Sequence, residues 1–155
     1  ECLLMANNRL SDLIHILVYI EMHDKQKLTS ELIASSLNTN PSLTRRMMGQ
    51  LRKANLLETT QGAACPKLTK DPSKITIFDV YMATCPDSPL LKVDQNTSKE
   101  CQVGHIIPTI LNKYYLEIQS TTEAKMRKVT IADIADDVRM DIEHHQENKS
   151  TFAKT

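Results

Sequence analysis

The sequence predicts a mainly α-helical fold with a small β-hairpin wing: a winged helix-turn-helix domain followed by a long C-terminal dimerisation helix. Three observations carry the prediction. Apolar residues recur at helical spacing along most of the chain. Only 3 of 155 residues are glycine and 4% are aromatic, which disfavours a fold built from many tight turns or packed sheets. A short periodic segment and a second one with a basic outer side are joined by a turn that ends in Asn40-Pro41, in the order helix, turn, helix.

The first helix covers Arg9 to Met22, where Leu10, Leu13, Ile14, Leu17 and Val18 follow the i, i+3, i+4, i+7 rule. Ile16 and Ile20 widen that stripe, so this helix is expected to be buried on more than one side. Thr29 caps a short second helix ending near Leu37, with Leu32, Ile33 and Leu37 facing inward. Asn38 and Thr39 form the turn. Asn40 then caps a third helix whose first position, Pro41, needs no N–H partner. That helix runs to Ala54, and steps of about 100° put Leu43, Met47, Leu51 and Ala54 on one face. Ser42, Arg45, Gly49, Arg52 and Lys53 fall opposite, with Arg46 and Gln50 at the flank.

Leu56 to Thr60, a turn at Gln61 to Ala64, and Cys65 to Thr69 form the hairpin, although Leu68 is the one large apolar residue of its second half. Thr76 to Asp79 has capping-box spacing, with Asp where Glu is usual, and opens a helix to Ala83. Cys85 to Glu100 is aperiodic and reads as a loop. A long helix from Gly104 to Lys128 carries Ile106, Ile107, Ile110, Leu111, Tyr114 and Ile118 on an apolar stripe. Thr130 to Asp133 repeats the capping pattern and starts a last short helix through Val138.

The domain plan follows. Met5 reads as the initiator and residues 1–4, Cys2 included, as a remnant ahead of it. Residues 5–84 form the winged domain, 85–102 a loop, and 103–142 the dimerisation helix and terminal helix. Residues 143–155 read as a flexible tail in which His144 and His145 are solvated.

Net charge is zero, 19 basic against 19 acidic residues, and at first sight speaks against a nucleic-acid partner. Its distribution says otherwise. Between Asn40 and Lys74, seven bases (Arg45, Arg46, Arg52, Lys53, Lys67, Lys70, Lys74) face two acids (Glu58, Asp71), a net +5. Val129 to Ser150 carries six acids against two bases, a net −4. A helix-turn-helix whose second helix presents a basic, acid-free outer face points to double-stranded DNA. The bland alternative is a solvated charged face, and a second is a winged module that binds protein.

On the DNA reading, Ser42, Thr44 and Arg45 meet base edges, Arg45 with the fork geometry that suits guanine. Arg46, Gln50, Arg52 and Lys53, with Thr60, Gln61 and Lys67 of the wing, serve the backbone and the flank. Other classes lack their residues. The longest apolar stretch, Leu13 to Ile20, is broken by His15 and too short to span a bilayer, so no membrane partner is expected. No phosphate-cradling glycine loop, Ser–His–Asp set, carboxylate pair or His-x-x-x-His is present, and no catalytic residue is assigned.

The run from Leu37 to Met48, then Leu51 to Leu57, resembles the recognition-helix region of the Rrf2 family of bacterial winged-helix regulators. Gly62-Ala-Ala, Leu68 and Asp71 to Tyr81 are similar to that family's wing and following helix. Cys101 to Gly104 before a long apolar helix, closed by Val129 to Ile134, extends the likeness over Arg9 to Val138, most nearly to the YwnA-like branch. The resemblance implies a cytoplasmic homodimer, a repressor or activator reading an inverted repeat, with the long helix crossing its twin. Ile107, Ile110, Leu111, Tyr114 and Ile118 support the dimer independently, because one small chain can hardly cover so broad a stripe. The alternative is that the winged domain folds back over it.

Some members of that family hold an iron–sulfur cluster through three closely spaced cysteines ahead of the long helix. Here that loop has Cys85 and Cys101 with fifteen residues between them; His105 lies one turn on. Two thiols fall short of the four ligands a cluster takes, and Cys–Cys–His falls short of a structural zinc site, so no cofactor or metal is expected. Cys101 stands before a helix N-terminus, where the dipole favours the thiolate, and with Cys85 and Cys65 forms a candidate set of redox-sensing thiols. The alternatives are inert thiols, or a regulator that senses a small ligand or a metal cluster.

Overall fold

In a computed structural model, residues 2–23, 26–59, 65–84 and 89–152 are described, with side chains described from 8 to 146. Among the described residues six helices and a two-stranded hairpin follow one another: α1 (Cys2–Met22), α2 (Ser30–Ser36), α3 (Pro41–Lys53), β1 (Leu57–Glu58), β2 (Lys67–Leu68), α4 (Ile77–Thr84), α5 (Gln102–Met126) and α6 (Ile131–Phe152). A single 3-10 turn, Pro72–Lys74, separates β2 from α4. The mainly helical class with a small hairpin wing is what the periodicity predicts.

The core gathers around α1. Leu13, Ile16 and Leu17 are fully buried, and Val18 and Ile20 nearly so, so the widened stripe does bury two sides of the helix. Against it lie Ile33, Met47, Met48, Leu51, Leu56, Leu57, Ile75, Val80, Ile131 and Ala135. α1 packs on α3, α4, α6 and β2.

α2 and α3 end alike. After α2, Asn38 takes φ 50, while its N–H reaches Ser35 C=O and that of Thr39 reaches Ala34 C=O. After α3, Asn55 takes φ 56, with N–H bonds from Asn55 to Arg52 and from Leu56 to Leu51. Both are Schellman closures with asparagine at the left-handed position, which its short polar side chain tolerates. The first sets the tight turn into α3 and the second aims the chain into the wing. In the wing, Leu57 pairs with Leu68 and Glu58 with Lys67, antiparallel.

Two capping boxes meet at the base of the long helix. Thr76 and Asp79 exchange bonds of 2.9 and 3.2 Å at the start of α4, and Thr130 and Asp133 exchange bonds of 2.9 and 3.1 Å at the start of α6. The two threonines are themselves bridged antiparallel, with Ile77 N–H to Val129 C=O at 2.9 Å and Ile131 N–H to Ile75 C=O at 2.8 Å. Arg127, capping α5, stacks 3.6 Å over the Phe78 ring. The exit of α5 is thereby tied to the winged domain.

Three expectations need correction. Leu32 is 48% exposed, because the inward side of α2 is set by Ile33 and Ala34. The terminal helix does not stop at Val138 but runs to Phe152, so residues 143–152 are helical and not an aperiodic tail; Ile134, Val138 and Ile142 keep the four-residue spacing that continues it. α1 likewise begins at Cys2, seven residues before the expected start at Arg9.

Candidate nucleic-acid interface

The interface is built on α3. Asn40 Oδ1 accepts from Leu43 N–H at 2.8 Å, fixing the N-terminus, and Arg52 and Lys53 sit in the last turn, where cations suit the helix dipole. The inward face is Thr44, Met47, Met48 and Leu51. It is rotated by about one residue from the face counted on apolar residues alone, and Leu43 and Ala54 are only half-buried.

That rotation removes one expected base reader. Thr44 is fully buried and its hydroxyl donates to Asn40 C=O at 3.1 Å, so the methyl packs inward and the polar atom is used within the helix. Gln50 is not free either: its amide donates to Ala83 C=O at 2.8 Å, joining α3 to the end of α4. Ser42, Arg45, Arg46, Arg52 and Lys53 are exposed and form one outward face, which the flanking Arg46 joins. Among the described residues, Arg46, Arg52 and Lys53 enter no ion pair, while Arg45 lies 3.4 Å from Glu31. Lys67 of β2 is exposed as well. Thr60 and Gln61, expected at the wing tip, lie outside the described residues.

Gly49 sits mid-helix near this face. A Cβ there would meet nothing closer than the Arg52 guanidinium at 3.6 Å, so packing does not require glycine. Glycine costs a helix about 1 kcal/mol relative to alanine, and what it leaves is a bare patch among the bases.

This arrangement has counterparts. Residues 6–137 match the family described as Rrf2, iron-dependent transcriptional regulators. The chain belongs to the Rrf2 family. It is 36% identical over 130 residues to YwnA of Bacillus subtilis (strain 168), by its name an HTH-type transcriptional regulator, covering 84% of this chain and 96% of YwnA. A crystallised DNA-binding protein superposes with a TM-score of 0.65 at 34% identity, over 81% of this chain and 97% of that one. CymR, the global cysteine regulator of B. subtilis, shares the fold at 15% identity, with a TM-score of 0.63 over 83% of this chain and 93% of CymR. The protein is thus a winged-helix transcriptional regulator with DNA as its partner, and not an enzyme. No helix among the described residues is long and apolar enough to cross a membrane.

The second surface of this Rrf2 protein is α5. Ile110, Tyr114 and Ile118 are 46–54% exposed, as are Ile106 and, more strongly, Val103 and Leu116. Ile107 and Leu111 are half-buried, so the expected stripe divides into a covered edge and an open one. The preceding loop supplies part of the cover: Leu90 N–H donates to Gln119 at 2.8 Å, and Thr97 Oγ1 donates to Gly104 C=O at 2.6 Å. A Cβ on Gly104 would stand 2.5 Å from Ser98 C=O, so glycine is required where loop and helix touch.

Of the thiols, Cys101 is exposed at the N-cap of α5 and Cys65 is half-buried on the wing; both are free. Cys85 lies outside the described residues. His105 N–H donates to Cys101 C=O at 2.8 Å, a backbone link that does not turn the imidazole toward the thiol. Among the described residues no three His, Cys, Asp or Glu side chains converge on a metal-sized site. The described donors therefore do not fit the iron of the family description.

Proposed function

We propose that this protein acts as a homodimeric repressor, two chains pairing through the open edge of α5 and presenting two α3 faces to an inverted repeat. The observation that carries the reading is the outward face of α3: Arg45, Arg46, Arg52 and Lys53 exposed together, with Lys67 exposed on the wing. A helix of this kind enters the major groove with its N-terminal half at the base edges. Ser42 and Arg45 hold that half; Arg46, Arg52, Lys53 and Lys67 are placed for phosphates, where each contact adds to the salt dependence. Gly49 lets the groove wall come close. Val103, Ile106, Ile110, Tyr114 and Ile118 support the pairing, since so extended an apolar surface is unusual on a monomer.

The signal we assign is oxidation of Cys101 by a peroxide. The thiolate sulfur attacks the O–O bond, keeps one oxygen as sulfenic acid and releases the other as hydroxide or alkoxide. The exposure of Cys101 at the N-terminus of the pairing helix favours it.

Anisotropy titration against genomic fragments at two salt concentrations tests the DNA reading. One preferred fragment with steep salt dependence is expected, and absence of binding at low salt contradicts it. Hydrogen peroxide should weaken binding of the native protein and leave Cys101→Ser unaffected; equal responses contradict the thiol signal.

A further inference from the structure

Arg45 differs from its neighbours on α3 because it is already held. Its Nη1 donates to the Ser30 hydroxyl at 2.9 Å and lies 3.4 Å from Glu31 Oε1. The same hydroxyl donates to that Glu31 oxygen at 3.2 Å. Three side chains from the first turn of α2 and the first half of α3 therefore close on one another. The remaining N–H groups of the guanidinium, at Nε and Nη2, bond to no described residue and form a free fork of the kind that engages guanine O6 and N7.

Glu31 is out of place on a surface that merely attracts phosphate. It is an exposed acid beside a base reader, and its carboxyl is held below the ordinary range, foremost by its own backbone N–H, then by the Thr29 hydroxyl, with Ser30 and Arg45 adding less. The Glu31 and Arg45 side chains are 64% and 58% exposed, and pairs so open to water add little to stability, so folding does not account for the contact. A long, free arginine must give up rotamer freedom on docking, whereas a tethered one has given up part of it beforehand.

We infer that Glu31 and Ser30 are positioning residues that fix Arg45 for one base, so that sequence choice is set partly by the first turn of α2. The inference rests on the reading of Arg45 as a base contact. Ser30 and Glu31 hold Nη1 and leave the Nε–Nη2 edge without a described partner. Glu31 also weakens attraction to every duplex, so it trades general affinity for discrimination.

The test is selection from a pool of duplexes with a randomised core, by the full chain and by Arg45→Ala, Glu31→Gln, Glu31→Asp and the Glu31→Gln/Arg45→Ala pair. Arg45→Ala should erase preference at one position of each half-site. Glu31→Gln should weaken preference at that same position by roughly threefold to tenfold while strengthening binding to a non-preferred duplex. Glu31→Asp should keep most of the preference, and the double variant should show no loss beyond that of Arg45→Ala. A Glu31→Gln protein that gains affinity equally for all duplexes, or is unchanged, overturns the inference even if Arg45→Ala behaves as expected. If Arg45→Ala changes no position, the base contact itself fails and the inference falls with it. Both side chains are exposed, so thermal melts should match the native protein; should Glu31→Gln fold poorly, Ser30→Ala must show the same shift at the same position, and no shift overturns the inference.

Discussion

α3 and α5 are both amphipathic, but they are finished in opposite ways. The 13 residues of α3 bury Thr44, Met47, Met48 and Leu51 and give charge to the solvent side. The 25 residues of α5 bury Pro108 alone and give Val103, Ile106, Ile110, Tyr114, Leu116 and Ile118 to it. Charge in water is inexpensive and complements a polyanion. Exposed apolar surface costs about 25 cal/mol for each Å², so a helix that keeps it is suited to another apolar surface. The outward side of a helix, more than its buried side, says what it meets.

The comparison breaks most visibly at α5. Ile110→Asp with Ile118→Asp should leave the helical fold intact, since both residues are exposed, yet uncouple the two DNA-binding units. Separating linked sites removes roughly 10²–10⁴-fold of affinity, to be read by titration of a duplex with two half-sites alongside sedimentation. An equal substitution effect on thermal stability would place these residues in the fold and not at a surface.

Leu51→Ala acts on the finished helix from its inner side. It should cost about 2–5 kcal/mol in denaturant unfolding and reduce DNA binding only as far as the fold is lost. Arg45→Ala acts from the outer side: stability unchanged, and about 1–3 kcal/mol lost at one base position. Together they separate the two faces of a single helix.

The smallest effect is expected at the junction that ties α5 and α6 to the winged domain. The Asp133 carboxyl is held low by the Thr130 N–H and then by its hydroxyl. A lowered folded value means stability that is complete above the unfolded carboxylate range, about pH 4, and is lost as pH falls through the folded value. Thermal melts of Asp133→Asn should therefore follow the native protein at acid pH and fall slightly below it at neutral pH. A difference that grows on acidification would reverse the sign of this contribution.

Much of this was legible in the chain. Asn40-Pro41, the two Thr-x-x-Asp boxes and the spacing of Leu13, Ile16, Leu17 and Ile20 place the helices, because caps and periodicity are local. The misreadings are equally specific. Thr44 counts as polar in a periodicity, but a threonine bonded to the carbonyl four residues back satisfies its own hydroxyl and packs as an apolar residue. Residues 143–151 are polar around the helix, so the apolar spacing of Ile134, Val138 and Ile142 carries the period only to 142. Glu31 lies in another helix, and its contact with Arg45 exists only after folding. Zero net charge concealed the contrast between residues 40–74 and 129–150, since a sum carries no positions.

The central claim is that two chains, joined at α5, read one duplex with two α3 helices. Sedimentation of the protein on a selected duplex measures it directly, together with the distance between protected half-sites. The account predicts two chains per duplex on an inverted repeat, with half-site centres one helical turn or a multiple of it apart, about 34 Å or more. One chain per duplex on a single, non-repeated site would contradict it.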